Sequence, residues 1–179
     1  MAPIDAAKIR KKAVSLHLKS KYMKIRNPYN AIPEHHCFGC AKRNPIGLKL
    51  DFEKTEDEVV AKWNPTTDYQ GFGDFLHGGI AATLLDEIAF WAVQAFLDSS
   101  GVTSELSVKY LKPVHISYGE ITVKAKLRGQ AEKHKYAFET QLFDGKGMLC
   151  VEAIATYFVY PQEMAKAKFM YPGKEALGL

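Results

Sequence analysis

Residues 73–91 read "GDFLHGGIAATLLDEIAFW", and this stretch decides the fold. From His77 to about residue 97 the chain is nearly all apolar and holds no proline, until "DSSG" at 98–101 stops it. That pattern predicts one long helix. At about 100° per residue, Thr83, Glu87, Phe90 and Gln94 fall on one stripe, with Asp86 at its edge. The rest of the helical surface is apolar, so the helix has to be buried.

The flanking segments supply what buries it. Leu48, Leu50 and Phe52 alternate with polar residues, and so do Val59, Ala61 and Trp63. Each set predicts a strand with one face covered. "NPTTDYQGFGDF" is a polar, glycine-containing loop leading to the helix. Four more strands follow the helix. One covers about 102–112, with Leu106, Val108 and Tyr110 on one face. In the next, Ile121, Val123, Ala125 and Leu127 alternate with charged or hydroxyl side chains. "YAFETQLF", the turn "DGKG" and "MLCVEAIATYFVY" complete the set. Short turns between such runs predict antiparallel hairpins. The order is two strands, one long helix, four strands. The implied fold is α+β, a hot-dog architecture in which a mainly antiparallel sheet of about five to six strands wraps the helix. An open sheet edge needs cover, and a second copy of the chain is the expected cover.

The chain has 179 residues, 47% hydrophobic and 25% charged, values ordinary for a globular domain. No unbroken apolar run is long enough to predict a membrane span, and the N-terminal residues lack the apolar centre of a signal peptide. Cys37, Cys40 and Cys150 are too few for a disulfide framework, which predicts a reducing, cytoplasmic setting. The net charge of +4 divides unevenly: residues 1–26 carry +7 and the remainder −3. The expected organisation is a basic helical extension over 1–34 with a helix at about 4–25, a main domain over 35–161, and a C-terminal tail over 162–179. One short basic helix is too little for a DNA-binding head, and its apolar stripe is too thin for membrane binding. Neither nucleic acid nor membrane is an expected partner.

The start of the helix has chemical potential. A helix N-terminus presents unpaired amides and a partial positive charge, and glycines there allow close approach. "HGG" at 77–79 suits either tight loop packing or stabilisation of an oxyanion by the Gly78 or Gly79 amide. Asp86 and Glu87 sit among Leu84, Leu85, Ile88 and Ala89, so a wide solvated face is not available to them. Acids held partly out of water make better bases. Gly78 and Asp86 are eight residues apart, roughly 12 Å along the axis. A reacting carbonyl needs both within about 3 Å, so the two halves of such a site would come from different subunits.

Three blocks carry a family resemblance: "CFGCAKRNPIGLKL", "YQGFGDFLHGGIAATLLDE" and "VTSELSVKYLKPV". Over about residues 35–160 the chain resembles the acyl-CoA thioesterases of the hot-dog superfamily, most closely the phenylacetyl-CoA thioesterase-like (PaaI) group. The resemblance implies hydrolysis of an acyl-CoA to free acid and CoA. It implies Asp86 as general base or nucleophile, the Gly78 amide as oxyanion donor, and Gln70 near the thioester or the attacking water. It further implies Thr103 as an orienting hydroxyl. Gly79, Glu87 and Phe75 are expected near substrate, and His77 is expected to be mainly structural. Phe72, Phe90 and Trp91 are further candidates to shape the acyl pocket, and Lys109 and Lys112 to meet the CoA phosphates. No cofactor beyond the substrate's own CoA is implied, and the assembly is expected to be at least a homodimer, or a dimer of dimers. Two other functions fit a hot-dog domain: a hydratase or dehydratase acting on acyl thioesters, and a non-catalytic acyl-CoA sensor.

"HHCFGC" holds a Cys-x-x-Cys pair behind His35 and His36. Those four residues could formally ligate zinc, but adjacent His-His-Cys side chains converge poorly on one ion. The expectation is a tight structural turn with small buried thiols and no metal.

Overall fold

A computed structural model describes residues 22–179. Most of the predicted helix over 4–25, and with it most of the basic arm, lies outside the described residues. Seven strands form one sheet: β1 (Met23–Ile25), β2 (Phe52–Lys54), β3 (Glu58–Trp63), β4 (Gly101–Tyr110), β5 (Ile121–Glu132), β6 (Lys135–Phe143) and β7 (Leu149–Val159). Their order is β1-β2-β3-β5-β6-β7-β4, and every pairing is antiparallel. The long helix α1 (Gly78–Leu97) lies against the sheet, touching β2 through β7. This is the hot-dog architecture expected from the sequence.

The period-two reading explains the sheet. In β5, Ile121, Val123 and Ala125 are buried and alternate with the more accessible Thr122, Lys124 and Lys126. Ten of the twenty residues of α1 are buried, among them Leu84, Leu85, Ile88, Ala89 and Trp91. Each large side chain so buried contributes about 1.5–3 kcal/mol. The helix is long and apolar enough to cross a membrane by composition, but more than half of that stretch is buried within the domain, largely against the sheet. It ends at Asp98, which adopts the left-handed conformation at φ 49°.

The structure departs from expectation at both ends of the chain. Among the described residues the sheet has seven strands, not five or six, because Met23–Ile25 is strand β1 rather than the end of a helix. It pairs with β2, burying Ile25. Leu48 and Leu50 are buried but precede the short β2 in irregular backbone. Residues 22–34 pack into the domain: the Tyr29 hydroxyl donates to Gln94 Oε1 at 2.9 Å inside the core. The C-terminal residues are equally integrated. Helices α2 (Gln162–Phe169) and α3 (Lys174–Leu177) follow β7, and Ala165, Tyr171 and Leu177 are buried. The Tyr171 hydroxyl donates to Asp98 Oδ1 at 2.7 Å, and the Arg26 amide donates to the Leu177 carbonyl at 2.8 Å. A three-residue strand and aromatic anchors carry no periodic signal, so pattern reading misses them.

Among the described residues, strand β4 forms one edge of the sheet and pairs only with β7. It is ten residues long, and Val102, Tyr110 and the adjoining Leu111 are exposed along it.

Candidate active site

The helix mouth is built by the loop before α1. The Leu76 amide donates to the Val114 carbonyl at 2.9 Å, and the His77 amide to the Tyr69 carbonyl at 2.9 Å. Asp74 binds this loop to the turn after β4. It accepts from the Ser117 amide at 3.0 Å, from the Ser117 hydroxyl, and pairs with His115 Nδ1 at 3.0 Å. Those bonds, the Ser117 hydroxyl first, hold its carboxyl below the usual carboxylate range. His77 is the N-cap of α1, and its Nδ1 accepts from the Gly79 amide at 2.9 Å. The Gly79 amide is therefore occupied. The Gly78 amide has no hydrogen-bond partner among the described residues, while the Gly78 carbonyl accepts from the Tyr110 hydroxyl at 2.8 Å. Beside Gly78 lies an apolar cleft of about 290 Å³. Phe75, Ala81, Tyr110, Val114 and Val151 line it, and Lys112 stands in its wall. Gln70 sits on the same loop, exposed, its amide donating to the Gly73 carbonyl.

A second group forms two turns further along α1. Asp86 is half-buried, and its Oδ1 accepts from two hydroxyls: Thr103 on β4 at 2.8 Å and Tyr157 on β7 at 2.7 Å. The Tyr157 hydroxyl also reaches the Asp86 carbonyl at 2.9 Å. Burial raises the Tyr157 phenol well above its ordinary value, and the charge of Asp86 adds to the rise, so it stays a donor. Oδ2 of Asp86 has no partner among the described residues. A carboxylate fixed through one oxygen and open at the other can accept a proton from water or attack an electrophile.

Glu87 points elsewhere. One residue further on the helix, it faces the turn at 37–40 rather than Asp86's neighbours Thr103 and Tyr157. Its oxygens lie 3.6 and 3.7 Å from Cys37 Sγ, and Oε1 accepts from Trp91 Nε1 at 3.1 Å. Burial pushes its carboxyl up to about 7, and the charge of Cys37 adds to the rise. The Cys37 thiol is lowered, first by its hydrogen bond with Cys40.

The structure thus brings Asp86 and Thr103 together and gathers Gly78, Gly79, His77 and Phe75 at the helix mouth. It separates Glu87 from both groups. Of the other aromatic candidates, Trp91 is a core residue stacked on Phe52 at 4.5 Å, and Phe72 is 87% exposed. Lys109 pairs with Glu152 at 3.6 Å, which leaves Lys112 as the lysine nearest the cleft. Tyr157 escaped the sequence reading, because it lies 71 residues from Asp86 inside an ordinary alternating strand.

Comparison with known proteins agrees with the fold. The family model described as the thioesterase superfamily matches residues 73–151. A Saccharolobus solfataricus protein named "Putative esterase" is 32% identical over 116 residues, covering 63% of this chain and 75% of the relative. A thioesterase structure from Streptococcus pneumoniae, described as hypothetical and solved with coenzyme A, is 25% identical and superposes with a TM-score of 0.57. That match covers 63% of this chain and 87% of the other. The Escherichia coli PaaI protein has the same fold at 18% identity and a TM-score of 0.57, over 64% of this chain and 82% of its own.

Proposed function

The chain belongs to the thioesterase superfamily, and from that premise we propose that it hydrolyses an acyl-CoA thioester to a free acid and coenzyme A. The observation that carries the reading is Asp86, clamped through Oδ1 by Thr103 and Tyr157 and open at Oδ2. As general base, Asp86 takes a proton from water while the hydroxyl attacks the thioester carbon. As nucleophile, it attacks that carbon itself, and water then cleaves the anhydride. Either route puts negative charge on the carbonyl oxygen, and the unpaired Gly78 amide at the positive end of α1 suits that charge. The tetrahedral centre then collapses, expelling the CoA thiolate, which takes up a proton. Gln70 positions the thioester or the water from the loop.

Asp86 and Gly78 lie eight residues apart on one helix, roughly 12 Å. The reading therefore requires a homodimer in which Gly78 of one subunit meets Asp86 of the other. The open β4 edge, which carries Thr103, supports that assembly. The apolar cleft beside Gly78 would take the acyl or pantetheine arm, with Lys112 near the CoA phosphates. The expected setting is the cytoplasm, where CoA thioesters and reduced thiols coexist.

The test is free-thiol release from a panel of acyl-CoAs of varied length and aromaticity, with Asp86→Asn alongside. Turnover abolished by the substitution supports the proposal. Turnover unaffected by it refutes the mechanism, and tight binding without turnover on every substrate would make the protein a sensor.

A further inference from the structure

We infer that Cys37, Cys40 and Glu87, with His35 as fourth ligand, form a zinc site that clips the segment before β2 to the central helix. On its own, the segment 35–40 is a turn with two thiols. The fold adds a carboxylate from 50 positions away.

The ligand atoms of Cys37, Cys40 and Glu87 all lie within 4.8 Å of one another. Cys37 Sγ stands 3.6 and 3.7 Å from the two Glu87 oxygens, and Cys40 Sγ stands 3.8 Å from His35 Nε2. In a tetrahedral site with Zn–S of about 2.3 Å and Zn–N or Zn–O of about 2.1 Å, adjacent donor atoms stand roughly 3.5–3.8 Å apart. The Cys37–Glu87 and Cys40–His35 spacings already have that length; His35 lies beside Cys40 but outside the 4.8 Å cluster of the other three, so its ring must swing inward to complete the tetrahedron. Two thiolates, an imidazole and a carboxylate are donors that zinc accepts.

The surroundings are built for these donors. The Cys-x-x-Cys turn is pinned by backbone bonds: Ala41 amide to the Cys37 carbonyl, Leu48 amide to the Phe38 carbonyl and Leu50 amide to the Gly39 carbonyl. A Cβ on Gly39 would overlap the Glu87 carboxyl, so the carboxylate keeps this place in the bend because residue 39 is glycine, and a larger residue would displace it. Trp91 Nε1 donates to Glu87 Oε1, the kind of outer partner that orients a ligating carboxylate. The His35 ring rests against Tyr29 at 5.5 Å. Without a cation, a carboxylate set into this bend has only weak thiol donors and one indole to offset its lost hydration.

The full-length protein, expressed with zinc supplied and purified under reducing conditions, is analysed for metal and then loaded with Co²⁺ in place of Zn²⁺. The expected result is about one zinc per chain and an intense near-ultraviolet sulfur-to-cobalt band with tetrahedral visible bands. Cys37→Ser and Cys40→Ser should lose the metal, Glu87→Gln should hold it at least about tenfold more weakly, and Cys150→Ser should retain it. His35→Ala should also bind more weakly, and unchanged affinity there would overturn the His35 assignment. Should the cysteine variants fail to fold, chelator titration of the wild type decides: zinc removal should lower its Tm. Less than about a tenth of an equivalent of zinc in the wild type would overturn the site. So would a Cys37–Cys40 disulfide in place of metal, or stoichiometric zinc that survives both cysteine substitutions.

Discussion

The Tyr157 hydroxyl on β7 donates to Asp86 Oδ1 on α1 at 2.7 Å, so a residue of the sheet sets the orientation of the helix carboxylate. Thr103 makes the matching bond from β4 at 2.8 Å. Hydrogen bonds to a charged group contribute about 1.5–3 kcal/mol. Tyr157→Phe should therefore lower kcat by roughly tenfold or more, with a smaller change in KM. Thr103→Val should act similarly. Because both bonds meet one oxygen, the double variant should lose less than the product of the single losses. Steady-state kinetics of the three variants test this.

Removing the carboxylate is more severe. Asp86→Asn keeps shape and the Oδ1 acceptor but cannot take a proton, so kcat should fall by about 10²–10⁴. The circular dichroism spectrum should be unchanged. Single turnover in ¹⁸O-labelled water tests the nucleophilic route: label found in the Asp86 carboxylate marks it, whereas label found only in the released acid is the result of general-base hydrolysis and equally of an anhydride opened by water at the acyl carbon.

Gly78 can be tested without breaking the helix. It is the first residue of α1, where proline is well tolerated, and His77 has the extended ψ of 131° that a following proline requires. The nearest atoms to a Cβ there are those of the Tyr110 ring, at an ordinary contact distance of 3.5 Å. Gly78→Pro replaces the N–H by the ring Cδ, which removes the donor and crowds the oxyanion position, and should lower kcat by at least about 10²–10³. Mixing subunits of Gly78→Pro with subunits of Asp86→Asn should restore part of the activity, because each mixed dimer contains one intact site. No recovery after verified exchange would refute the shared site.

Asp74 gives a pH prediction. Its folded-state pKa is depressed, chiefly by the Ser117 hydroxyl. Such a group adds stability above its unfolded pKa of about 3.9, and that stability is lost as pH falls through the folded value. Asp74→Ala should lower Tm at neutral pH, and the gap to wild type should narrow on acidification below about pH 4. Thermal melts across that range check the sign.

Gly39→Ala should destabilise. The added methyl would meet Glu87 Cδ at 2.3 Å, in a turn held by backbone bonds on both sides. Overpacking of this kind costs about 1–3 kcal/mol. For a domain of this size the Tm should fall by roughly 2–4 °C per kcal/mol.

The sequence by itself determined the long helix and most of the sheet. Strand periodicity in Ile121, Val123 and Ala125, and apolarity all round from Ile80 to Leu97, are local signals that burial later matches. It also singled out Asp86, an acid with no room for a solvated face, and the glycines where amides would be free. What only the tertiary structure decided was which side chains share a place. Asp86 and Glu87 are neighbours in sequence, yet a turn of about 100° per residue sends one toward Tyr157 and the other toward Cys37. Met23–Ile25 became a strand because β2 offered it an edge, which no local pattern records. Periodicity reports which face of an element is covered. It does not report what covers it, because partners 50 or 71 residues apart meet only when the sheet closes around the helix.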